Sequence, residues 1–109
     1  MPKSAGLPPG TLVMLILRVL RQESLHGYAI AQKIRHLSSD QLSVEEGSLY
    51  PALQKLLANG WVKADWATSD TGRQVRSYRI TTKGLKQLES EQDDYQRMAD
   101  AISAILEST

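Results

Sequence analysis

Glu45-Glu46-Gly47-Ser48-Leu49-Tyr50-Pro51-Ala52-Leu53-Gln54-Lys55-Leu56-Leu57-Ala58-Asn59-Gly60-Trp61 is the stretch on which the fold turns. Leu49, Ala52, Leu53, Leu56 and Leu57 recur at i, i+3, i+4, i+7 and i+8, which is one apolar stripe of a helix. Pro51 has no backbone N–H and is harmless only in a first turn, so the spacing predicts a helix starting at Gly47 or Ser48, with Ser48 able to cap it. Asn59-Gly60 supplies a left-handed stop. Outside the stripe lie Ser48, Pro51, Gln54, Lys55 and Ala58, with Tyr50 on the flank. This face is small, weakly cationic and free of carboxylates. It suits a DNA major groove, where Gln and Lys reach base edges and phosphates. An ordinary solvated face is the plainer account, and the stretch alone favours it. The flanking sequence shifts the balance.

Downstream of Trp61 the apolar period changes to two. Val62, Ala64 and Trp66 alternate with Lys63 and Asp65, and after Thr68-Ser69-Asp70-Thr71-Gly72-Arg73 the chain resumes as Val75-Arg76-Ser77-Tyr78-Arg79-Ile80. Asp-Thr-Gly between alternating runs reads as a β-hairpin, and its tip and second strand carry Arg73, Arg76 and Arg79. A hairpin with arginines directly after such a helix is the wing of a winged helix; a merely solvated hairpin is the alternative.

Upstream, Thr11 can cap a helix over residues 12–21 that is apolar almost all round, and Pro8-Pro9-Gly10 opens the ordered part before it. So small a domain covers two sides of such a helix only with help, so one side is expected to meet a second subunit. A second helix is expected from the turn at residues 24–28 to about Leu37, with Ile30, Ile34 and Leu37 inward and Gln32, Lys33, Arg35 and His36 outward. His26 is read as a cap or packing residue at its start rather than a ligand or base. Leu42 and Val44 alternate in the polar connection and offer a short strand. Thr81 or Thr82 then caps a last helix reaching Leu106. In it Leu88, Tyr95 and Ile102 lie seven apart, with Met98 and Ile105 as companions and an interruption at Glu91 and Gln92. Nothing downstream covers this seam, which points to dimerisation; folding back on its own domain is the alternative.

The fold class expected is therefore mainly α with a small β-hairpin, a winged helix-turn-helix over residues 1–80 and a dimerisation helix over residues 81–109. Gly47-Ser48-Leu49-Tyr50-Pro51-Ala52-Leu53, Leu25-His26-Gly27-Tyr28 and Tyr78-Arg79-Ile80-Thr81-Thr82-Lys83-Gly84 together resemble the PadR family of bacterial transcriptional regulators, in order and in spacing. The length, with one helix after the wing, is similar to the short branch of that family. The resemblance implies a homodimer that represses promoters and is released by a ligand held in an apolar channel between the first and last helices. Where better-known relatives place tryptophans against flat aromatic ligands, this chain has Tyr95 and Gln96.

The 109 residues make one small domain without Cys or Phe, which removes disulfides and thiolate chemistry and leaves Leu, Ile, Val and 2 Trp to fill the interior. The net charge of +1 hides an asymmetry. Residues 1–86 hold 12 Lys/Arg against 6 Asp/Glu, whereas residues 87–109 hold 1 Arg against 6 acids. A basic body with an acidic tail presents only the body to a polyanion. The longest apolar run, residues 12–17, is too short to span a bilayer, and the first six residues carry no leader pattern, so the cytoplasm is the expected compartment. Two His without Cys leave any metal site to carboxylates, and no phosphate loop or nucleophile elbow appears, so no metal, cofactor or catalytic residue is assigned.

Lys33, Arg35, Ser48, Tyr50, Gln54, Lys55, Arg73 and Arg76 are the expected contacts to double-stranded DNA, on a pseudo-palindromic operator bound by a homodimer. Met14 and Arg18 with Tyr95, Met98, Ala99 and Ile102 are the expected lining for a small apolar or aromatic effector; a filled interface is the alternative there. A winged-helix protein-interaction module that does not bind DNA is the rival function.

Overall fold

The computed structural model describes Leu7 and residues 10–109; Pro8 and Pro9, expected to open the ordered part, and the first six residues, expected to carry no leader pattern, lie outside the described residues. In chain order the elements are α1 (Leu12–Gln22), β1 (Leu25–His26), α2 (Gly27–Leu37), α3 (Glu46–Ala58), β2 (Val62–Thr68), β3 (Gln74–Ile80) and α4 (Thr82–Leu106).

Helix α1 is the centre of the core. Ile16 and Leu17 are fully buried, with Met14, Val19 and Leu20 close behind. They pack with Ile30 and Ile34 of α2, Leu49, Leu53 and Leu56 of α3, Val62 and Tyr78 of the sheet, and Leu88 of α4. One chain thus covers more of α1 than its composition suggests; Leu12, Val13 and Leu15 remain half-buried. Thr11 holds the N-cap position, but its side chain makes no capping bond.

His26 caps α2, its Nδ1 accepting the Ala29 N–H at 3.4 Å. Leu37 departs from its expected inward place and is exposed. The helix ends there, and Ser39 and Asp40, both at positive φ, turn the chain away from the core. Ser38 ties this turn: its hydroxyl donates to the Arg35 carbonyl at 3.1 Å and accepts the Leu42 N–H at 3.0 Å. Leu42 is an isolated bridge position, and no strand forms around Val44.

The three strands form one antiparallel sheet in the order β1-β3-β2. Its hairpin closes as a three-residue loop. Ser69 N–H donates to the Arg73 carbonyl at 2.8 Å, the Gly72 N–H donates to the Ser69 carbonyl at 2.9 Å, and Gly72 takes the left-handed conformation at φ 83°. Strand β1 was not legible in advance. Its two residues pair with β3 through Leu25↔Tyr78 and His26↔Ser77, a tertiary contact that no local period announces.

Thr81 joins three elements. Its hydroxyl accepts the Gly84 N–H at 3.0 Å, capping α4, and lies 2.7 Å from the Gly60 carbonyl and 3.1 Å from the Trp61 carbonyl, to which it can donate. Its N–H also donates to the Trp61 carbonyl at 3.0 Å. Thr81→Val keeps the shape and removes the hydroxyl, so it should lower stability by about 1–2 kcal/mol in urea unfolding. A loss too small to measure would show that these bonds merely replace bonds to water.

Candidate nucleic-acid interface

Helix α3 carries the expected face, with one change at its head. It starts at Glu46, with Glu45 as N-cap residue, so Ser48 lies inside the first turn and does not cap. The Ser48 and Leu49 N–H groups donate instead to the Glu45 carbonyl, at 3.0 and 2.9 Å. Pro51 consequently stands beyond the first turn, and the Gly47 carbonyl has no N–H four residues on to accept. The earlier start also brings a carboxylate, Glu46, onto the same side as Tyr50, so the face is not free of acids.

The other end matches the sequence. Gly60 takes φ 72°, its N–H donates to the Leu57 carbonyl at 3.1 Å and the Trp61 N–H to the Leu56 carbonyl at 3.0 Å, which is a Schellman stop. Leu49, Leu53 and Leu56 are buried, with Ala52 and Leu57 half-buried. The opposite ridge is Gly47, Pro51 and Ala58, all exposed and short. A Cβ added at Gly47 would meet nothing within 4 Å. Ser48 and Lys55, seven apart, flank one side of this ridge, and Tyr50 and Gln54, four apart, flank the other. All four are exposed. A low ridge edged by polar side chains is a shape that enters a groove deeply.

The hairpin stands beside it. The register pairs Trp66 with Arg76 and Ala64 with Tyr78, so Val62, Ala64, Trp66, Arg76, Tyr78 and Ile80 share one sheet face. The core takes the near end of that face and leaves Trp66, expected to help fill the interior, 71% exposed. Arg76 lies over the Tyr78 ring at 5.7 Å from the centroid. Arg79 is on the other face and pairs with Asp65 at 3.3 Å. Arg73 at the loop is exposed and makes no ion pair among the described residues.

Lys33 and Arg35 on α2 already hold carboxylates, Glu23 at 3.6 Å and Asp40 at 3.2 Å. Exposed pairs of this kind contribute only about 0–1 kcal/mol, so a phosphate can displace either partner. The six residues expected around an effector do not close a pocket in one chain. Met14 belongs to the core, Ala99 is half-buried, and Arg18, Tyr95, Met98 and Ile102 are exposed.

Three helices followed by a two-stranded wing, with the third helix presenting a low polar ridge, define a winged helix-turn-helix protein. The sequence model of the PadR-like family of transcriptional regulators matches residues 16–90. The chain belongs to that family, and its role is DNA-binding transcriptional regulation rather than catalysis. Solved structures agree. A PadR-like regulator from Bacillus cereus is 28% identical, with 92% of this chain and 95% of that one covered and a TM-score of 0.78. A PadR family regulator from Eggerthella lenta is 30% identical, with 92% and 85% covered and a TM-score of 0.76. A transcriptional regulator from Clostridium thermocellum is 26% identical, with 87% and 92% covered and a TM-score of 0.80. An uncharacterized protein of Lysinibacillus sphaericus is 26% identical over 98 residues, 90% of each chain.

Proposed function

We propose that the chain is a repressor that binds a pseudo-palindromic operator as a homodimer, in the cytoplasm, and is released by a small apolar or aromatic effector. Residues 1–80 form the DNA-binding unit and residues 81–109 the dimerisation helix. The observation that carries the dimer is the far half of α4. Beyond Leu88 none of its residues is buried, and Tyr95, Met98, Ile102 and Ile105 stand exposed at near-heptad spacing. A 25-residue helix is about 37 Å long, enough for two copies to pair while each domain stays clear. Two copies of α3 then meet successive major grooves one helical turn apart.

Ser48 and Tyr50 take phosphates, Gln54 and Lys55 reach base edges and backbone, and Arg73 and Arg76 hold the flanking strand. Lys33 and Arg35 add phosphate contacts after leaving their carboxylates. The effector would lie where α1 of one chain meets α4 of both, against Met14, Arg18, Tyr95, Met98, Ala99 and Ile102. It releases DNA only if it binds the released geometry better than the bound one.

Gel shifts across a salt series test the DNA contacts. Lys55→Ala and Arg73→Ala should each weaken binding to all sequences and lower the salt slope by about one phosphate's worth. Gln54→Ala should instead change which base is preferred, by about 1–3 kcal/mol at one position of each half-site. Parent-like binding by both charge variants would refute the assignment.

A further inference from the structure

An open cleft of about 780 Å³ lies between the wing and the starts of α2 and α3. Three aromatic side chains line it and remain open to solvent: Trp66 at 71%, Tyr28 at 64% and Tyr50 at 48%. The Tyr50 ring lies 3.4 Å from where a Gly27 Cβ would stand. Trp66 belongs to the sheet face that carries the buried Val62 and Tyr78, but stands at its open end.

Charge does not account for the cleft either. Arg76, the direct cross-strand neighbour of Trp66, lines it together with Arg73, but so do Glu46 and Asp70. A site built for phosphate alone would not pair two arginines with two carboxylates. A nucleic-acid strand is not phosphate alone. Its deoxyribose rings present apolar faces between the charges, and aromatic walls with one well-placed cation match that alternation. The cleft is also continuous with the exposed side of α3, sharing Tyr50 with it.

We infer that this cleft holds one sugar–phosphate strand of the duplex bound by α3, with Trp66 and Tyr28 packed on deoxyribose faces and Arg76 on the phosphate between them. Trp66, which the sequence assigned to the interior, is then the largest apolar contact to DNA. The inference rests on the DNA-binding reading above and adds the residues through which the wing grips without reading sequence.

The test uses full-length protein and a labelled duplex that the parent selects from a random-sequence library, with binding followed by anisotropy from low to moderate salt. Trp66→Ala should bind about tenfold more weakly at every salt concentration, because burial of most of an indole against sugar is lost and no charge is. Its salt slope should equal the parent's, and Trp66→Phe should recover most of the affinity. Arg76→Ala should lower the slope by about one. Thermal unfolding of Trp66→Ala should match the parent, since the side chain is exposed. Parent-like affinity of Trp66→Ala, while Lys55→Ala is weakened, overturns this inference alone and leaves the aromatic cleft to a small ligand. Failure of the parent to select or bind any duplex overturns the DNA reading and this inference with it.

Discussion

Gly84→Ala should lower stability by about 3 kcal/mol or more, a drop of roughly 12–20 °C in the melting temperature of a domain this size. An alanine in a helix ordinarily gains about 1 kcal/mol over glycine. Here the sign reverses. A Cβ on Gly84 would stand 2.0 Å from the Trp61 carbonyl oxygen and 2.8 Å from Ile80 Cγ1. The carbonyl cannot step aside, because it accepts the Thr81 N–H at 3.0 Å and lies 3.1 Å from the Thr81 hydroxyl that caps α4. Either the first turn of α4 lifts from the end of α3, or these bonds break. Circular dichroism melts of parent and variant decide it; equal melting temperatures would mean that the close approach is not required for the fold.

The second large effect concerns assembly. Met98→Glu combined with Ile102→Glu should leave the fold of each chain intact and leave it monomeric at micromolar concentration, with operator affinity reduced about 100-fold or more as the second half-site is lost. Both side chains are exposed in the single chain, 62% and 49%, so the substitutions remove nothing from its core. In a paired seam they would bury four new carboxylates against one another. Sedimentation equilibrium gives the mass and far-ultraviolet dichroism the helix content. A variant that stays dimeric would place the interface elsewhere.

Much of this architecture was readable because it follows from local periodicity. The stripe of Leu49, Leu53 and Leu56, the Asn59-Gly60 stop, the Asp70-Thr71-Gly72 turn and the Thr81 cap each depend on a few neighbouring residues, and each is found where expected. The misses have a common cause, which is tertiary context. Strand β1 exists only through its pairing with β3. Glu46 joins α3 because the helix tolerates Pro51 beyond its first turn, against the local rule, and this changes the charge of the interface. Trp66 alternates correctly with Val62 and Ala64 but sits where the hairpin has outrun the core, so its period gave the right face and the wrong environment. Leu37 falls one step past the end of the covered stripe for a similar reason. Lys33, Arg35, Lys55, Arg73 and Arg76 were visible as basic residues; the carboxylates paired with Lys33 and Arg35, Glu23 and Asp40, come from the turns at either end of α2 and could not be paired in advance.

In the proposed complex two copies of this chain straddle one duplex through α3 and the wing. Light scattering on the chromatographed complex with a selected duplex tests it most directly. The protein mass on each duplex should be twice the 12.1 kDa of one chain, in a complex that dissociates as salt rises. One chain per duplex, or a salt-insensitive complex, would contradict it.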